Sequence, residues 1–202
     1  MSTIGNMVRS LLFKMRHPGV QLHLNELELI SEEIAARPST NLLIFGVGND
    51  SAFWMHLNAG GRTVFLEDAP NWLRKVKTRL PHIEAYAVTY DTKMSDWRSH
   101  IGRERELLLD LPAEIRGISW DVIIVDAPAG YTDFIKLYGV EAPGRMKSIY
   151  TASRIVRDNG TVFVHDCERE IENEFSSRYL GPENLRAEVR GRALLRKYVV
   201  RR

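Results

Sequence analysis

Among the stretches that are apolar without a break are residues 42–45, 64–66, 122–125 and 162–164. Each runs into a glycine or an ionisable residue: Gly46, Glu67, Asp126 and His165. Short continuous apolar runs are what strands buried on both faces of a parallel sheet look like. They predict strands over about 41–45, 62–68, 120–126 and 161–164, and a weaker run predicts a fifth over 83–88. Between them the apolar positions recur at helical spacing. Leu24, Leu27, Ile30 and Ile34 predict a helix over about 24–37, closed by Pro38. Further helices are expected over 51–59, ended by Gly60-Gly61, over 70–80, over 144–158, ended by Asn159-Gly160, and over 168–179. Residues 185–189 and 193–200 flank Arg190-Gly191-Arg192 and read as a hairpin. Residues 1–20 read as a short helix that covers the sheet or forms a lip over a ligand, stopping at His17-Pro18-Gly19. Residues 92–119 are expected to form a long connection with one helix. Residues 127–143 form a loop too long and too rich in Gly and Pro to be mere connection, so it is expected to be functional.

Strands that alternate with helices imply a parallel sheet with right-handed crossovers. An antiparallel hairpin closing such a sheet is the arrangement of class I, Rossmann-like S-adenosylmethionine-dependent methyltransferases. A single domain over residues 1–202 is expected, with a helical cap over 1–38 and the α/β core over 41–200. Its 202 residues, 44% of them hydrophobic, suffice for a sizeable core. The net charge of +2 gives no electrostatic case for nucleic acid. The C-terminal arginines and lysines alternate with apolar residues and read as the exposed face of the hairpin. A single cysteine, Cys167, rules out an internal disulfide and a thiolate metal cage. No apolar run approaches the ~20 residues of a membrane span, and no secretory signal is legible, so a cytoplasmic protein is expected.

The strand ends supply the chemistry. Gly46-x-Gly48 permits a tight strand-to-helix turn and close approach of a ligand to the backbone. Glu67 and Asp68 follow about twenty residues later, where an acid can accept ribose hydroxyls; Glu67 is assigned to the ribose and Asp68 to capping. The pattern suits a dinucleotide or S-adenosylmethionine, and the lack of a third glycine favours the latter. In a parallel sheet ligands bind outside the carboxyl ends of the strands. Asp91 there is expected to accept from an adenine amino group, and Asn49, Asp50 and Ser51 to meet the methionine portion. Asp126, His165 and Asp166 remain for the reacting group, as a base for an attacking alcohol or as ligands of a divalent metal that acidifies it. In the loop and the helix start after it, Tyr131 and Arg145 are expected on the acceptor side. Arg145 either forks onto a substrate carboxylate or pairs with Glu141 or another acid.

Several longer segments carry a resemblance. They are Phe45-Gly46-x-Gly48-x-Asp50-Ser51, residues 60–67, Trp120-Asp121-Val122-Ile123, Gly130-Tyr131, Ala142-Pro143-Gly144-Arg145-Met146 with Ile149-Tyr150-Thr151-Ala152, and Phe163-Val164-His165-Asp166 with Arg169-Glu170. Together they resemble the plant polysaccharide-biosynthesis family of glucuronoxylan 4-O-methyltransferases, over about residues 24–179. The resemblance implies S-adenosylmethionine as donor, the 4-hydroxyl of a glucuronic acid residue as acceptor and help from a divalent metal. The plant proteins carry an N-terminal membrane anchor and further cysteines, which this sequence lacks. A soluble relative acting on a glucuronate-containing glycan or small glycoside is expected, with no nucleic-acid or membrane partner. A catechol-type small-molecule O-methyltransferase and a non-catalytic cofactor-binding subunit are the alternatives.

Overall fold

The computed structural model describes residues 3–17, 19–131 and 133–202. Pro18 of the anticipated turn lies outside them. Its centre is one sheet of seven strands: β1 Asn41–Phe45, β2 Arg62–Glu67, β3 Glu84–Ala87, β4 Trp120–Val125, β5 Val156–Val164, β6 Leu185–Arg190 and β7 Leu194–Val200. Their order is β3-β2-β1-β4-β5-β7-β6. The first five run parallel, β7 lies antiparallel to β5, and β6 pairs antiparallel with β7. This is the class I methyltransferase arrangement expected from the sequence.

The helices are α1 Thr3–Arg16, α2 Leu24–Ala35, α3 Ser51–Leu57, α4 Pro70–Arg79, α5 Glu104–Leu107, α6 Phe134–Tyr138, α7 Met146–Ile155 and α8 Glu170–Leu180. Both faces of the sheet are covered, which is why its central strands had to be apolar at every position. Leu43, Phe45, Ile123 and Val125 point to one side, onto Met146 and Ile149 of α7 and Phe175 of α8. Their neighbours Leu42, Ile44, Val122 and Ile124 point to the other, onto Leu27, Ile30 and Ile34 of α2 and Trp54 of α3. The period-two alternation of a strand thus feeds two separate cores.

Two segments differ from expectation. Residues 92–119 hold short 3₁₀ turns at Met94–His100 and Ala113–Ile115 and the one-turn α5 rather than a single helix. Their apolar residues are not helically spaced; Trp97, Leu107, Leu109, Leu111 and Ile115 each drop separately into the core. The helix expected over 144–158 ends at Ile155, and Val156 already pairs with Trp120. The chain then bulges, with Asn159 at φ +56, before Thr161 pairs with Val122. The Asn-Gly signal there marks an irregularity within a strand.

The helix α1 covers α2 and α3 rather than the sheet, stacking Phe13 on Phe53 with ring centroids 4.4 Å apart. Lys14 donates to the carbonyl of Val20 at 2.8 Å. The lip is formed by the segment that follows, Gly19 to Leu22, which borders the larger cavity described below. Among the described residues no helix is long and apolar enough to cross a membrane.

Candidate active site

At the end of β1, Gly46 takes φ +111, which L side chains rarely adopt. A Cβ at this position would also stand 3.1 Å from that of Ala127. The turn beyond it is held by side chains. Gly48 N donates to Ser51 Oγ at 3.0 Å, Trp54 Nε1 donates to Asp50 at 2.9 Å, and the Asn49 amide donates to Gly19 O at 3.1 Å. From the end of β2, Glu67 accepts from the amides of Val47 and Ala69, both at 2.9 Å. Its carboxylate therefore clamps the glycine turn to the neighbouring strand end.

These residues surround a cavity of about 550 Å³ bordered by Gly46, Gly48, Asn49, Asp50, Glu67 and Asp68. Two sequence assignments do not fall in it. Ser51 is fully buried and spends its hydroxyl on the turn. Asp91 borders an adjoining cavity of about 420 Å³, which shares Asp68 with the first. It is exposed, and its carboxylate is paired with Lys147 at 2.5 Å.

A third cavity, of about 510 Å³, opens beyond β4 and β5. Both Tyr131 and Arg145 border it, as the sequence led one to expect. It shares Gln21, Asp126 and Ala129 with the larger one, so the two meet at the carboxyl end of β4. At the junction Asp126, His165 and Asp166 come together, each offering a ligand atom within 4.8 Å of the others.

Around His165 the arrangement is specific. Nε2 lies 3.3 Å from Oε1 of Glu26, which enters from α2 and is fully buried. Nδ1 lies 3.3 Å from Asp126 Oδ1 and 3.4 Å from Asp166 Oδ1, buried and without a well-formed hydrogen bond to either. Burial opposes charge on the ring, but Asp126, Asp166 and Glu26 override it and push the imidazole up to about 11. For Asp166 burial is likewise overridden, by His165, Arg145 and Arg169, which hold it well below the usual carboxylate range. Asp126 is lowered too, against burial, by His165 and Arg145.

Arg145 spends most of its fork inside the protein. Its guanidinium donates to Pro128 O at 3.2 Å and His165 O at 2.9 Å, and it pairs with Asp126 at 3.1 Å and Asp166 at 2.7 Å. Of its two anticipated roles the ion pair is the one adopted, with these aspartates and not with Glu141. Glu141 instead accepts from the backbone and hydroxyl of Ser95.

The cluster fits a cation. Two ionised carboxylates and a buried imidazole nitrogen lie within 4.8 Å of one another, separations that pairs of metal–ligand bonds of ~2.1–2.4 Å would span once the ring had lost a proton. A carboxylate on the far ring nitrogen is the usual support of a metal-bound histidine.

Sequence reading missed several members. Glu26 carries a local signal, since its side chain accepts from His23 N at 2.5 Å as the third residue of α2. Nothing local reveals that its other oxygen meets β5. Arg192 looked like hairpin surface, yet it borders the acceptor-side cavity beside Arg169. Glu172 lies buried beneath Gly130, its carboxylate without a hydrogen-bond partner among the described residues, and burial raises its pKa.

The family model IRX15/IRX15L/GXM matches residues 25–107 and 103–198. Glucuronoxylan 4-O-methyltransferase 1 of Arabidopsis thaliana is 41% identical over 181 residues, covering 79% of this chain and 62% of that protein. Arabinogalactan O-methyltransferase 2 of the same plant is 33% identical, covering 81% and 62%. The chain thus spans about three fifths of the length of these curated relatives. Among solved structures, the N-methyltransferase NodS of Bradyrhizobium japonicum with S-adenosyl-L-homocysteine superposes with a TM-score of 0.51 at 15% identity. It covers 96% of this chain and 98% of that one, a likeness of fold.

Proposed function

Because the chain belongs to the IRX15/IRX15L/GXM family, we propose that it is an S-adenosylmethionine-dependent O-methyltransferase. The acceptor is a hydroxyl of a glucuronic acid residue in a glycan or small glycoside, the 4-hydroxyl by likeness to the 41% identical relative. One observation carries the reading: two cavities meet at Asp126, with His165 and Asp166 at the junction.

S-adenosylmethionine supplies a methyl group on a sulfonium sulfur. In the larger cavity Glu67 accepts from the ribose hydroxyls, joined by Asp68, which borders the same cavity and does not cap α4 as the sequence suggested. The turn at Gly46–Gly48, with Asn49 and Asp50, receives the methionine portion. Asp126 stands where donor and acceptor come together. As the C–O bond forms and the C–S bond breaks, the acceptor oxygen must lose its proton. The carboxylates of Asp126 and Asp166, held ionised below their ordinary range, are weak bases, and the imidazole is already charged at neutral pH. Ionised carboxylates are better ligands than bases, which favours a divalent cation on Asp126 and Asp166. His165 would join them through Nδ1 by giving up its ring proton as the cation binds, and the acceptor's proton would leave to bulk water through the open cavity. That cation would supply Lewis acidity to the acceptor hydroxyl. Glu26 then holds the ring and Arg145 holds both carboxylates.

The test uses labelled S-adenosylmethionine with a glucuronate-bearing xylo-oligosaccharide, a glucuronate-bearing arabinogalactan fragment and a catechol, each with and without chelator. Label on a glucuronate hydroxyl, lost with chelator and restored by a divalent cation, is the expected result. Transfer to the catechol alone overturns the acceptor; failure to bind S-adenosylmethionine overturns the whole reading.

A further inference from the structure

The acceptor-side cavity is bordered by three arginines that differ in what they have left to give. Arg145 spends most of its fork inside the protein, as described. Arg169 uses Nη1 on Asp166 at 3.0 Å and on Gly130 O at 3.2 Å, and the rest of its fork has no partner among the described residues. Arg192 is exposed, and among the described residues its guanidinium has no hydrogen-bond or ion-pair partner. A cation that borders a cavity and spends nothing inside the protein is available to a ligand.

The position of Arg192 is also fixed. Asn25 donates to Arg190 O at 3.1 Å, tying the hairpin turn to the start of α2. Gly191 presses so close to that helix that a Cβ there would stand 2.6 Å from atoms of both Glu26 and His23. Just beyond, Leu194 N donates to Glu168 at 2.7 Å, and Cys167 N donates to Leu194 O at 2.9 Å. Arg192 therefore projects from a turn anchored on both sides, next to buried Ala193 and on the same cavity as His165 and Asp166. Glu168, the exposed acid of that rim, points an oxygen at the hairpin backbone.

We propose that Arg192, with the unspent side of Arg169, reads the carboxylate of the acceptor, so that the site selects uronic acids over neutral sugars. The inference rests on the function proposed above and goes beyond it by assigning the acidity of the substrate to named residues. The chemistry is consistent: in a hexuronic acid the carboxylate and the 4-hydroxyl stand on adjacent ring carbons. A rim cation beside the junction meets the first while the second faces Asp126. A planar guanidinium matches a carboxylate with two parallel hydrogen bonds.

Arg192 is the cleaner residue to test, since Arg169 also holds Asp166. Methyl transfer to a glucuronate-bearing xylo-oligosaccharide is compared with transfer to its C6 carboxamide, for the wild type, Arg192→Ala, Arg192→Lys and the distant control Arg186→Ala. For Arg192→Ala, KM for the acid is expected to rise roughly 10–100-fold, the loss of a charge-assisted pair, with a much smaller change in kcat. The wild type's preference for acid over amide should collapse in that variant, Arg192→Lys should recover part of it, and the melting temperature should not move. Equal effects on acid and amide, or none on either, overturn the carboxylate reading and leave the transferase standing. A wild type that methylates neither acceptor overturns the proposed function and this inference with it.

Discussion

Glu26 and His165 are 139 positions apart and meet at 3.3 Å, a fully buried carboxylate oxygen against ring nitrogen Nε2. The contact ties α2 to the end of β5 and leaves Nδ1 facing Asp126 and Asp166. If Glu26 orients the ring for a cation, Glu26→Gln should weaken divalent-cation affinity and activity by roughly 10–100-fold. Gln can still serve the capping contact to His23 N, so the fold should hold. Cation titration followed by fluorescence or calorimetry, beside a melting curve, checks this. Unchanged affinity would show that Glu26 merely fills space.

Asp166 takes φ +62 at the end of β5, a left-handed conformation that Asn tolerates and Ala resists. Asp166→Asn and Asp166→Ala should therefore both lose most activity but differ in stability. The alanine variant carries about 1 kcal/mol more strain, about 2–4 °C in melting temperature for a domain of this size. Equal melting temperatures would mean that the turn relaxes freely.

Arg145 separates two roles that its residue type leaves open. A residue reading substrate from the rim would change KM and leave stability alone. Arg145 instead compensates Asp126 and Asp166 from a position only 5% exposed. Removing one member of such a buried group leaves uncompensated charge, typically at ~3–5 kcal/mol. Arg145→Ala is expected to lower stability by an amount of this order, with substrate absent, as measured by denaturant unfolding. Full stability with a raised KM would reverse the assignment.

The sheet was legible because buried parallel strands leave continuous apolar runs, and the strand ends were legible because ligands bind there. The convergence of Asp126, His165 and Asp166 follows from the order of β1, β4 and β5 alone. What stayed hidden is long-range and side-chain specific. Nothing near Arg145 in sequence says that its fork will close on Asp126 and Asp166. Arg192 shares its alternating basic pattern with Arg196 and Lys197, which pair with Glu188 and Glu33 respectively. Only the docking of Gly191 against α2 sets Arg192 apart. The stretch at 92–119 misled because its core residues are buried one by one, without a period to read.

Asp50 offers a test of how the cofactor cavity trades stability for binding. Burial, with the Asp126 carboxylate from β4, raises its pKa from 3.8 to about 6, against the opposing Trp54 Nε1 on α3 and His165 from β5. A carboxyl raised on folding contributes stability below its unfolded pKa, and the contribution is lost as pH rises through about 6. At pH 7.5 the ionised Asp50 is therefore a burden on the protein without cofactor, and Asp50→Asn, which keeps an acceptor for Trp54, should raise the melting temperature there. Near pH 4 the aspartate is already protonated when folded, and the gain should vanish. The same variant should bind S-adenosylmethionine more weakly, because the cationic amino group of the methionine portion is what would stabilise the ionised form. Melting curves at the two pH values, with and without S-adenosylmethionine, separate these effects. A gain that persists undiminished at pH 4 would place its origin in packing rather than in the charge.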